Sequence, residues 1–101
     1  MTTPAGPQAA VTANVASSAT SVPLFAAATA PGTNGRTIVN ESTQRLYVKF
    51  GATASATSYT VALEGAAAPP YAYFEFPQPC YAGLVSGIWA SANGSARVTS
   101  W

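Results

Sequence analysis

Gln44-Arg45-Leu46-Tyr47-Val48-Lys49-Phe50 is the stretch that decides the fold class. Its period is two. Leu46, Val48 and Phe50 point one way, Tyr47 and Lys49 the other, as a strand with one buried face requires. The same alternation recurs on both sides. Upstream, Ile38 and Val39 centre a short strand over residues 36–40, and Asn40-Glu41-Ser42-Thr43 supplies turn chemistry. The spacing predicts a hairpin between residues 37–40 and 45–50. Further upstream, Val22 and Leu24 flank Pro23, which cannot donate to a ladder and so marks an edge strand. Downstream, Tyr59, Val61 and Leu63 share a face, and residues 71–76 are aromatic-rich and β-prone. Pro69-Pro70, Pro77 and Pro79 punctuate that region. Residues 84–92 carry Ile88 and Trp89, and Asn93-Gly94 is the favoured pair for a type I′ hairpin turn. Residues 97–101 would return from that turn and bring Trp101 beside Trp89. No window carries a helical stripe. The pattern is all-β: a compact β-sandwich or small barrel of about seven short antiparallel strands.

The chain is 101 residues long, enough for one domain. Residues 1–20 differ from the rest. They contain no charge and no aromatic ring, and their only large aliphatic side chains are Val11 and Val15. Pro4 and Pro7 keep the start extended. Alone, such a segment buries too little apolar surface to offset its ordering entropy. Residues 1–20 are therefore expected to be an extended N-terminal arm in front of a β domain at 21–101. The arm is either a loose terminus or a segment that orders on a neighbouring subunit. In the second case Pro4, Pro7, Val11 and Val15 are interface candidates.

Composition narrows the function. Charged residues are 7% of the chain, against about 25% in an ordinary soluble domain. Apolar residues are 49%, much of it alanine. A surface of Ala, Ser, Thr and Gly is weakly solvated and has few like charges to hold copies apart. This suits a protein that works inside an assembly. The formal net charge is +1, from Arg36, Arg45, Lys49 and Arg97 against Glu41, Glu64 and Glu75. The cations are scattered, so no basic stripe is available for nucleic acid. Cys80 is the single cysteine, which excludes an internal disulfide and fits folding in a reducing cytoplasm. The first twenty residues lack the basic and apolar regions of a signal peptide, and no apolar run approaches the ~20 residues of a membrane span.

The chemical inventory is short. There is no His and no Asp. Three dispersed Glu and one Cys make neither an acid–base pair nor a metal site, and Cys80 has no His to activate it. No phosphate-cradling glycine loop is present. The chain reads as a non-enzyme with no cofactor, no metal and no catalytic residue. Tyr71, Tyr73, Phe74, Phe76 and Tyr81 cluster within eleven positions. Such rings serve cores and subunit interfaces first and sugar platforms second. Tyr71, Tyr73 and Trp101 join the interface candidates.

Several stretches then carry a resemblance. They are Thr37-Ile38-Val39-Asn40 leading into Glu41-Ser42-Thr43, Leu46-Tyr47-Val48-Lys49-Phe50-Gly51, and Ala54-Ser55-Ala56-Thr57-Ser58-Tyr59-Thr60-Val61. Gly87-Ile88-Trp89-Ala90-Ser91-Ala92 and Ala96-Arg97-Val98-Thr99 follow in the same order. Together they resemble a family of small structural proteins encoded among the head genes of tailed phages, over about two-thirds of the chain. The resemblance implies a virion component with a compact β fold. It would sit on the capsid surface as a decoration or cement protein, with the major capsid protein as partner, after assembly in the host cytoplasm. A head-fibre or tail-associated role, or a carbohydrate-binding module on the virion, is the alternative. A homo-oligomer is expected to cover the strand edges. A trimer is favoured because capsids offer three-fold sites, and no residue argues for it.

Overall fold

A computed structural model of the chain describes residues 10–27 and 34–101. It contains eight strands: β1 (Val11–Ala16), β2 (Val22–Phe25), β3 (Arg36–Glu41), β4 (Leu46–Phe50), β5 (Val61–Leu63), β6 (Ala72–Glu75), β7 (Val85–Trp89) and β8 (Ser95–Ser100). No helix occurs among the described residues. The strands form two four-stranded sheets, in the orders β1-β8-β3-β6 and β2-β7-β4-β5, with every pairing antiparallel. We call the first the terminal sheet, since it holds both ends of the fold, and the second the hairpin sheet. The expected all-β sandwich is what forms, with one strand more than the alternation had marked.

The order has a simple origin. β1 pairs β8, β2 pairs β7, β3 pairs β6 and β4 pairs β5. The chain is thus a doubled ribbon that turns back on itself between β4 and β5. Rolling that ribbon brings β8 against β3 and β7 against β4. Eight strands wound this way are a jelly roll, the architecture that closes an antiparallel ribbon into two facing sheets.

Alternation places the core. Ile38 of β3 and Ala96 and Val98 of β8 point inward from the terminal sheet, meeting Leu46 and Val48 of β4 and Val85 and Trp89 of β7. Each fully buried large side chain contributes about 1.5–3 kcal/mol of transfer free energy. At one end of the sandwich the packing is aromatic: Phe50 stacks on both Phe76 and Tyr81, and Phe25 meets Phe76 edge-on. Gly87 lies where a Cβ would come within 2.7 Å of Leu24, so the strand interior needs glycine for close packing.

Two polar side chains also point inward. Asn40 is fully buried. Its Nδ2 donates to the carbonyls of Gln44, Leu63 and Glu64 at 2.9–3.1 Å, and its Oδ1 accepts from the Trp89 indole at 3.1 Å. Arg36 is 3% exposed. Its two terminal nitrogens donate to the carbonyls of Ala26, Tyr81, Ala82 and Gly83, and its guanidinium lies 4.6 Å over the Phe25 ring. Removal from water holds its pKa below the ordinary arginine value.

Three expectations are corrected. The hairpin predicted between residues 37–40 and 45–50 does not form, because β3 and β4 lie in different sheets. Asn40 draws the turn inward, and the apolar faces of the two strands oppose each other across the core. The Asn93-Gly94 turn also crosses between sheets, from β7 to β8. Gly94 has φ 76°, but among the described residues Thr53 is the only non-glycine residue with positive φ, so Asn93 does not share it. A type I′ turn needs positive φ at both centres, so this is not one. Asn93 instead accepts hydrogen bonds from Thr43 N and Oγ1. Trp89 and Trp101 are consequently not paired: Trp89 is in the core, and the Trp101 ring lies over Gly35. Of the extended arm expected at 1–20, residues 11–16 form β1 on β8. Pro4 and Pro7 lie outside the described residues.

The Asn40 cluster sets a stability test. Asn40→Ala leaves the buried Leu63 carbonyl and Trp89 indole N–H without this partner, and removes a bond from the part-buried Gln44 and Glu64 carbonyls. The expected loss is about 2–4 kcal/mol, at the upper end for a single polar truncation. Urea unfolding of the two proteins measures it.

Candidate interaction surface

The outward face of the terminal sheet follows from the register. One row reads Thr12, Thr99, Thr37 and Glu75; the next reads Asn14, Arg97, Val39 and Tyr73. Thr12 and Thr99 share a hydroxyl hydrogen bond of 3.0 Å, and the Tyr73 hydroxyl donates to Glu75 at 3.0 Å. That bond raises the Tyr73 pKa, since it favours the protonated phenol. Arg97 pairs with Glu41 at 3.3 Å. The face is hydroxyl-rich, and its charges are the Arg97–Glu41 pair and Glu75.

The structure separates the sequence candidates. Tyr73 stands clear at 57% exposed on β6, one edge of the terminal sheet. Val11, 67% exposed, and Val15, half-buried against the core, lie on β1 at the opposite edge. Three strand spacings lie between those edges, roughly 14 Å. Val11 and Val15 also share the inward side, by register with Ser100 and Ala96, whereas Tyr73 faces out. Tyr71 is half-buried just before β6. Trp101 extends the β8–β3 ladder through reciprocal backbone bonds with Gly35 and covers it with its ring. Its role is packing. These residues do not converge on one site.

Each of the seven charged side chains has a partner within the fold. Arg45 pairs with Glu64 at 2.7 Å and Arg97 with Glu41. Arg36 is buried on carbonyls, Lys49 donates to Ser58 Oγ at 2.8 Å, and Glu75 accepts from Tyr73. Exposed pairs like these contribute little stability, but they leave Lys49 and Glu75 as the two side chains whose charge meets no opposite charge. Arg36, Ile38 and Asn40 alternate on the inward face of β3, so the buried arginine lies on the core side of the strand.

Cys80 is half-buried, and burial pushes its thiol up, away from the thiolate a nucleophile needs. Among the described residues no three His, Cys, Asp or Glu side chains are grouped to hold a metal ion, and no helix is long and apolar enough to cross a membrane.

Substitutions distinguish packing from surface. Tyr73→Ala is expected to change stability by less than about 0.5 kcal/mol, as for an exposed side chain with one peripheral bond. Gly35→Ala drives a Cβ into the Trp101 ring and destabilises; adding Trp101→Ala relieves that clash. Thermal melts of the single and double variants show whether the second change recovers stability.

No protein-family model, no curated protein and no solved structure matches this chain.

Proposed function

We propose that the chain is a decoration or cement protein of a tailed-phage capsid, docking on the major capsid protein as a homo-oligomer. One observation carries the reading: of seven charged side chains four form two ion pairs and Arg36 is buried, so only Lys49 and Glu75, each bonded to a hydroxyl, carry charge without an opposite partner. Docking such a surface desolvates few charges, and desolvation is the main cost of a polar contact. Repetition over a shell then adds weak contacts into firm attachment by avidity. The jelly-roll winding is compatible with this role and with others, since capsid and sugar-binding domains both use it. The capsid is preferred on the resemblance of the motif order to small head-gene proteins, set out from the sequence above.

The carbohydrate-binding alternative requires a platform of exposed rings. Tyr73 is exposed, but its hydroxyl is held by Glu75, and Tyr71 and Trp101 are half-buried. The capsid reading therefore ranks first.

Shells prepared without this chain provide the test. Adding the purified protein should raise the temperature at which the shells release DNA. Because few unmatched charges take part, raising salt from low to well above physiological strength should change the attachment affinity by no more than about threefold. Shells equally heat-labile with and without the protein would exclude a cement role.

A further inference from the structure

We propose that two copies of this chain pair through β1, antiparallel across a two-fold axis, joining their terminal sheets edge to edge. Among the described residues the two sheets leave four strand edges, and three carry the devices that block pairing. β2 holds Pro23 and a register shift between Pro23 and Phe25. β5 is three residues long. β6 is four residues long, with Pro69-Pro70 before it and Pro77 after it. β1 is six residues, Val-Thr-Ala-Asn-Val-Ala, in unbroken register with β8 and without a proline, a charge or a bulge.

The ladder fixes which groups β1 offers. Ser17 N donates to Gly94 O at 3.1 Å, in line with the Ala16–Ser95 pairing. Hydrogen bonding to β8 therefore falls on Val11, Ala13, Val15 and Ser17. The N–H and C=O groups of Thr12, Asn14 and Ala16 point away from the domain, toward the open edge. A strand that meets them must be extended and antiparallel or parallel to β1.

A second copy fits by its own sequence. Centring the two-fold on Ala13 sets Thr12 opposite Asn14 of the second copy, where the outward backbone groups exchange hydrogen bonds and both side chains lie on the polar outer face. The same register sets Val11 opposite Val15 on the inner face. That contact covers Val11, the most exposed large apolar side chain of the described fold at 67%. No charge meets its own image across the axis, because β1 has none. Shifting the register by two residues either way separates the valines. The interface is isologous, as two-fold pairing demands, so the unit it builds is a dimer and not the trimer that capsid three-fold sites suggest. It stands whether or not the dimer docks on a capsid.

Two variants of the full chain test it. Asn14→Pro removes an N–H that β8 does not use, so the domain should keep its circular dichroism and melting temperature. The unsubstituted protein should sediment at twice the mass of one chain and Asn14→Pro at the mass of one. In a Cys80→Ser background, Ala13→Cys places two thiols on the axis in a non-hydrogen-bonded pair, whose Cα spacing of about 4.5 Å suits a disulfide. Mild oxidation should then link the chains through Ala13→Cys and not through Val15→Cys. An unsubstituted protein that sediments as a single chain at every concentration overturns the proposal. So does a folded Asn14→Pro that remains a dimer, or cross-linking that is equal at the two positions.

Discussion

The side chain of Asn40 holds the two layers together. It is fully buried where β3 leaves the terminal sheet, and it bonds to Trp89 of β7 and to the carbonyls at the end of β5. Its remaining donor contact, to Gln44, shapes the link into β4. One amide therefore satisfies backbone groups from a turn and a strand end that would otherwise be buried without partners. Such a group is costly to strand and specific in what it accepts. Apolar burial supplies more total stabilisation, but Leu, Val and Ile contacts tolerate many arrangements. The Asn40 geometry fits one crossing of the chain between sheets.

That distinction explains how far the sequence could be read. Period two located most of the strands and their buried faces, including Leu46 and Val48. It did not specify neighbours. A short turn at residues 41–45 serves a hairpin or a crossing equally well, and only the inward Asn40 decides between them. The same holds at Asn93-Gly94, where the dipeptide suggests a hairpin and the Thr43 contact makes a corner. β1 was hidden for a different reason: its inward positions are Val11, Ala13 and Val15, too little apolar volume to stand out from a proline-rich start. The interface candidates were legible as residue types but not as a site, because Tyr73 and Val11 occupy opposite edges and opposite sides of one sheet.

Charge links the fold to the proposed role. A jelly roll of this size usually stays soluble and separate through a coat of unmatched charges. Here the few charges present are spent inside the molecule: Arg36 ties β3 to the carbonyls of residues 81–83, and Arg45 and Arg97 neutralise Glu64 and Glu41. Outward, the surface presents these two ion pairs, Lys49 and Glu75 among hydroxyls, amides and small apolar groups. That surface gives little long-range steering and little repulsion, so contacts form by shape and repetition. A decoration protein present at many equivalent positions has that requirement.

The proposed role is tested most directly by counting this chain in purified virions. Quantitative mass spectrometry would give its copies per major capsid subunit. A decoration or cement protein is expected at a ratio near one, or at a fixed large fraction of one. A few copies per particle would instead place it at a fibre, neck or tail, and its absence from the particle would contradict a virion role altogether.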